Sequence, residues 1–224
     1  MPAMRSAAPF LIPRLTPGPD AGTDELRAAL EAEAAGTRLT CVNWPAYPHC
    51  PQVTFRLGHT GTALALAFDV KEESVRALET RAHGAVHMDS CVELFISFDG
   101  ASYYNLELNC IGTPHLAYGP WRTERRFVPL PLMERLAVRA SLGAEPFGEK
   151  TGGVEWSLTA RVPLACFAFD ALDTLDGRAA RAKLYKCGDA LPVKHYVTWH
   201  PVQTPAPDYH RPEFFGDVLF AGRA

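Results

Sequence analysis

The chain reads as all-β: an antiparallel, jelly-roll-like β-sandwich with two or three short peripheral helices. Three observations predict this class. About ten short segments alternate apolar and polar residues with period two, turn residues separate them at regular intervals, and helical spacing is confined to brief stretches. The clearest segment is residues 89–112, DSCVELFISFDGASYYNLELNCIG. Val92, Leu94, Ile96 and Phe98 alternate with Cys91, Glu93, Phe95 and Ser97. Beyond Asp99-Gly100, Tyr104, Leu106, Leu108 and Cys110 alternate with Tyr103, Asn105, Glu107 and Asn109. This is a β-hairpin with one apolar face and one face of carboxylates and amides, and Gly100 tolerates the positive φ its turn needs. For the apolar faces to coincide, even-numbered residues must pair with even-numbered ones. The loop is then odd in length, and Glu93 faces Glu107 or Asn109. Two opposed carboxylates repel, so they require a cation, a shared proton or a hydroxyl-rich ligand. Cys91 and Cys110 fall on opposite faces, which disfavours a bridge between them.

The other elements follow in order. Residues 1–20 are Pro-rich and read as an irregular surface arm. Thr23 caps a short helix with Asp24 and Glu25 in its first turn, Leu26 and Leu30 on one face and Gly36 as its stop. This region, 1–38, precedes a sandwich domain over 39–224. A strand at 38–43 leads to Trp44-Pro45 and the loop AYPHCP. Strands at 52–57 and 62–70 form a hairpin across residues 58–61. The spacing of Val75 and Leu78 predicts a helix over 71–80 that crosses between sheets. After the central hairpin, AYGPWRTERR reads as a polar loop. Strands follow at 136–142 and 154–162, the second after the Gly152-Gly153 turn. Pro163 opens a helical turn. Extended structure resumes at 179–187 and 195–200, and the loop PDYHRPEFFG feeds a last strand at 218–220.

Composition excludes several classes. A net charge of -3 and dispersed Lys and Arg leave no footprint for nucleic acid. No apolar run approaches the roughly 18 residues of a membrane span, and MPAMRSAAPFLIPRL is too short and Pro-broken for a signal h-region, so the expectation is a cytoplasmic protein. The six cysteines show no CxxC spacing and read as reduced. The sequence leaves the oligomeric state open.

Taken in order, DSCVELFI, YYNLELNCIG, LYKCGD, TWHPV and PDYHRPEFFG resemble the family 9 carbohydrate-binding modules, most closely the stand-alone family 9-like proteins of bacteria. The resemblance spans roughly residues 39–222. It implies a sandwich related to DOMON domains that binds sugar without cleaving it. In such modules the ligand lies between two tryptophans and is held by charged and amide side chains of the hairpin strands. Glu93 and Asn109 match two of those hairpin positions. Where sugar-binding members carry an arginine, this chain has Glu107. The resemblance also implies a possible structural calcium, whose ligands do not map onto this sequence residue by residue.

Trp44 and Trp199 are candidate stacking platforms, because the apolar face of a sugar packs on an indole; the alternative for each is core packing. Trp156 alternates with core residues, whereas Trp121 sits among arginines in a polar loop. Glu93, Glu107 and Asn109 fit a sugar-hydroxyl set, a calcium site or the solvated face of a hairpin. His83 and His87 have ligand spacing but lack a third partner. Tyr185, Lys186 and Asp189 end a strand, Lys186 with Asp189 forming either a salt bridge or a ligand clamp. His210, in a loop, either binds ligand or fixes that loop. The reading adopted is a non-catalytic carbohydrate-binding protein using Trp44, Glu93, Glu107, Asn109, Trp199 and His210. Two alternatives stand beside it: a glycoside hydrolase using Glu93 and Glu107, and a structural or partner-binding sandwich.

Overall fold

The computed structural model describes residues 8–223. Two sheets face each other. The larger orders its strands as β1 (Phe10–Ile12), β14 (Gly216–Phe220), β12 (Ala179–Cys187), β6 (Cys91–Ser97), β7 (Tyr103–Asn109), β8 (Pro114–Gly119) and β9 (Arg126–Phe127). Beside β12 runs β13 (Tyr196–Thr198), which in turn pairs with β3 (Cys41–Val42). The smaller sheet is β10 (Ala137–Ala140), β11 (Phe147–Pro163), β5 (Ala63–Ala77), β4 (Gln52–His59) and β2 (Thr37–Leu39). Among these strands every pairing is antiparallel except β1 with β14, and an isolated parallel bridge joins Arg14 to His59. Among the described residues the α-helices are α1 (Thr23–Glu33) and the single turn α2 (Leu130–Met133), and none is long and apolar enough to cross a membrane.

The main core lies between the sheets. Even-numbered residues of the hairpin, Val92, Leu94, Ile96, Tyr104, Leu106 and Leu108, meet Phe55, Leu66, Phe68 and Leu158 of the smaller sheet. The register is one of the two the alternation allows: Val92 pairs with Leu108, Glu93 with Glu107 and Leu94 with Leu106, across a loop at 98–102. Asp99 shapes that loop, its Oδ1 accepting from the Ala101 and Ser102 amides, and Gly100 adopts φ 75°. Cys110 joins the core while Cys91 faces the other way, and all six cysteines are free.

Five expectations are corrected. Residues 71–80 do not form a helix, because β5 runs on as a strand to Ala77. Its burial still alternates there, with Val70, Glu72 and Ser74 buried and Lys71 and Glu73 exposed. The period-two signal was hidden because a glutamate occupies an inward position. That glutamate is matched from both sheets: Lys186 Nζ of the facing β12 lies 2.8 Å from Glu72 Oε2, and Trp156 Nε1 of the neighbouring β11 donates to Oε1 at 2.7 Å.

The N-terminal segment is not merely an arm, since Phe10–Ile12 adds a parallel edge strand to β14. Helix α1 then buries Leu26 and Leu30 against Ala65 and Ala67 on the outer side of the smaller sheet. Thr23 is its first helical residue rather than its cap, and Gly22 holds the cap position without a side-chain bond. The strand expected at 38–43 breaks into β2 and β3, which belong to different sheets. Lastly, AYG of the expected polar loop belongs to β8, whose buried residues are Leu116, Ala117 and Gly119.

Candidate functional site

Strands β6 and β7 are buried along their whole length, so the large sheet is covered on both faces. The odd-numbered face packs under the segments around Trp44, Val86, Val202, Tyr209 and Phe215, which form a second apolar cluster with Phe95, Tyr103 and Tyr185. The cover is incomplete. Between the loops at 83–87, 122–125 and 207–210 it leaves a cleft of about 880 Å³ whose floor is the hairpin. A cross-strand row, Tyr185, Glu93, Glu107 and His115, runs over β12, β6, β7 and β8. Its last three members line the cleft.

Burial dominates the electrostatics of this floor. Glu93 is 3 % exposed, and desolvation, reinforced by Cys187 and Glu107, pushes its carboxyl well above the ordinary carboxylate range, which favours the protonated acid. Its Oε1 lies 3.1 Å from Cys187 Sγ. Glu107 Oε1 accepts from Asn105 Nδ2 at 2.8 Å, and Asn105 Oδ1 in turn accepts from Arg125. Arg125 also donates to the carbonyls of Tyr103, Ala117 and Gly119, and its guanidinium lies 4.3 Å from the centre of the Tyr103 ring. The loop after β8 thus brings a guanidinium to Asn105, the amide that bonds Glu107. That loop closes onto Gly119, where an added Cβ would stand 1.9 Å from the Glu124 carbonyl oxygen.

The walls are fixed by side-chain bonds. Tyr209 stacks on Tyr185 with ring centres 4.0 Å apart; its hydroxyl donates to the Lys186 carbonyl, and the Tyr185 hydroxyl donates to the Tyr209 carbonyl. His210 Nδ1 is hydrogen-bonded to the Tyr103 hydroxyl at 2.8 Å. Burial first, then Arg125 and Arg122, lowers the His210 imidazole to about 3, which leaves it neutral. Across the cleft His83 takes a left-handed backbone, φ 64°, and is stapled by its Nε2 to the Val128 carbonyl and by stacking on Phe127. At the rim stand His87, Asp189, Tyr196 and Arg122, whose Nε lies 3.8 Å from Asp208 Oδ1.

Of the six residues singled out, Glu93, Glu107 and His210 meet in this cleft and the other three do not line it. Trp44 is buried with Tyr196 and Tyr209, its Nε1 donating to the Thr204 carbonyl. Trp199 packs edge-on between Phe10 and Phe55, where the sheets meet. The Asn109 amide is spent on the loop before β6: Nδ2 donates to the Glu79 carbonyl and to Asp89, and Oδ1 accepts from Thr113. Lys186 turns into the core toward Glu72 and His195, leaving Asp189 on the cleft side. Trp121 is exposed.

The sequence reading missed His115, Arg122, Arg125, Tyr196 and Tyr209. His115 could have been found by extending the alternation past Gly112, whereas the arginines carry no local signal. For the implied calcium the fit is poor. Among the described residues the one set of three His, Cys, Asp or Glu donor atoms close enough to share an ion is Cys91, Glu93 and Cys187. Calcium takes six to eight oxygens, whereas two of these donors are sulfurs.

The comparisons with known proteins agree with this architecture. A protein from Bacteroides uniformis ATCC 8492, solved as a candidate carbohydrate-binding protein, is 33 % identical with a TM-score of 0.91, over 94 % of this chain and 98 % of that one. A family 9 module from Caldicellulosiruptor kristjanssonii, solved with cellotriose and with glucose, shares the fold at 11 % identity and a TM-score of 0.61. The match covers 96 % of this chain and 94 % of the cellotriose-bound or 96 % of the glucose-bound chain. No curated protein matches at the level of sequence. The family model for carbohydrate-binding family 9 matches residues 24–220, and the chain belongs to that family.

Proposed function

We propose that this protein binds a carbohydrate in the cleft over β6, β7 and β8 and performs no chemistry on it. The observation that carries the reading is the cleft's polar floor. A fully buried Glu93, an amide-bonded Glu107 and His115 lie in one row beneath about 880 Å³ of space, within the range of small-ligand sites. Sugar hydroxyls both donate and accept, and this row with Arg122, Asp189 and His210 offers partners of both kinds. The related modules solved with glucose and cellotriose support this ligand class. In this reading Glu93, Glu107 and His210 touch the ligand. Trp44 and Asn109 hold the loops that form the walls, and Trp199 belongs to the core.

Calorimetric titration with glucose and cellotriose tests it. Glu107→Ala should weaken binding about tenfold or more, the usual effect of losing a central polar contact, while melting like the parent. Unchanged affinity would move the ligand elsewhere.

One observation favours a second reading. A carboxylic acid kept protonated beside another carboxylate is also what a glycosidase's general acid requires. However, Glu93 and Glu107 stand side by side on one sheet rather than on opposing walls. Turnover of an aryl glycoside by the parent that Glu93→Gln abolishes would put this second reading first.

A further inference from the structure

Beneath the cleft, three protic groups converge with no cation among them. Cys91 and Glu93 share a face of β6 because they are two residues apart, and the β12–β6 register sets Cys187 directly opposite Cys91. The two sulfurs and a Glu93 oxygen lie within 4.8 Å of one another, and all three side chains are buried. A tetrahedral zinc ion with Zn–S near 2.3 Å and Zn–O near 2.0–2.2 Å separates its donors by roughly 3.3–3.8 Å. The Cys187–Glu93 pair is already at 3.1 Å, so closing the triangle requires only small side-chain rotations. We propose that Cys91, Glu93 and Cys187 form a binding site for a thiophilic divalent cation of the zinc class, open to the cleft at its fourth position.

The donor chemistry selects the ion. Two sulfurs and one carboxylate oxygen favour zinc and its soft relatives over calcium or magnesium. The position selects the coordination. Glu93 and Cys187 line the cleft, and so do His87 and Asp189, so the fourth ligand is water, one of these side chains or a bound molecule. Uptake displaces the protons of both thiols and of Glu93 into solvent, and the divalent ion with three anionic ligands carries one net negative charge. Without metal, burial raises Cys91 and Glu93, and the contact with Cys91 followed by burial raises Cys187, so each group is biased toward its neutral form. The site shares Glu93 and the cleft with the sugar reading, yet it is assayed without sugar and can fail while sugar still binds.

The test adds one equivalent of cobalt(II), then zinc(II), to the fully reduced protein. The expected result is a near-ultraviolet thiolate-to-cobalt charge-transfer band that zinc displaces. Cys91→Ser and Cys187→Ser should each lose much of its intensity, and replacement of the exposed Cys50 by Ser should leave it intact. If either core variant fails to fold, zinc-edge X-ray absorption on the parent decides, with two sulfur ligands expected. No charge-transfer band, a band undiminished in Cys187→Ser, or a zinc shell without sulfur would overturn the proposal. So would a Cys91–Cys187 disulfide in freshly isolated protein.

Discussion

Glu72 and Glu93 are equally buried, each 3 % exposed, on opposite sides of the large sheet, and the protein neutralises them in different ways. Glu72 faces the core between the sheets and meets the Lys186 ammonium at 2.8 Å and the Trp156 indole. Glu93 faces the cleft without a cation beside it, and burial raises its carboxyl well above the ordinary carboxylate range, favouring its own proton. A buried ion pair fixes two elements relative to each other, because separating the charges leaves each unpaired in a poor solvent. A proton can be exchanged for a ligand's hydrogen bond. The structural carboxylate is tied down and the cleft carboxylate remains available.

The largest way to break this contrast is Lys186→Met, which strands Glu72 and should lower stability by about 3–5 kcal/mol in urea denaturation. Replacing both residues by methionine should recover most of that loss. If the single variant is as stable as the parent, the pair is not structural. Trp199→Ala comes next. Its ring packs on Phe10 and Phe55, so truncation should cost about 3 kcal/mol while the folded fraction binds sugar as before.

Glu93→Gln sharpens the comparison through pH. Because the folded state holds the Glu93 proton after the unfolded chain has released its own, this residue makes the parent lose stability as pH rises above the ordinary carboxylate range. Glutamine mimics the protonated acid, so the variant should lose that decline and match or exceed the parent near pH 7 in thermal melts. His210 works in the opposite sense. Its folded value is about 3 against an ordinary 6.5, so below about 6.5 the unfolded chain takes up a proton first and stability falls toward pH 3. The variant should retain that acid limb. The smallest effect is expected from Arg122→Ala. This exposed residue sits 3.8 Å from Asp208, and melting should change by no more than about 0.5 kcal/mol, whereas sugar binding should weaken measurably.

The sandwich and its central hairpin were legible because alternation and turn residues are local signals. Parity narrowed the partner of Glu93 to Glu107 or Asn109, and the structure selects Glu107. Where a polar residue replaced an apolar one at an inward position, as Glu72 does in β5, the same signal failed and a helix was read instead. The candidate site was half legible. The hairpin carboxylates and His210 lay in recognisable motifs, yet Trp44 and Trp199 occupy core and wall positions that spacing cannot distinguish from a cleft. Arg125 reaches Asn105 and Tyr103 through tertiary folding of the β8–β9 loop, a contact about 20 residues long in sequence with no local signature.

The most direct measurement is amide chemical-shift mapping of the protein during titration with cellotriose. Saturable shifts concentrated at Glu93, Glu107, His115, Arg122 and His210, with Trp199 and its neighbours unmoved, are the predicted outcome. Shifts centred on Trp199, or on the exposed face of the smaller sheet, would contradict the assignment of the cleft as the sugar site.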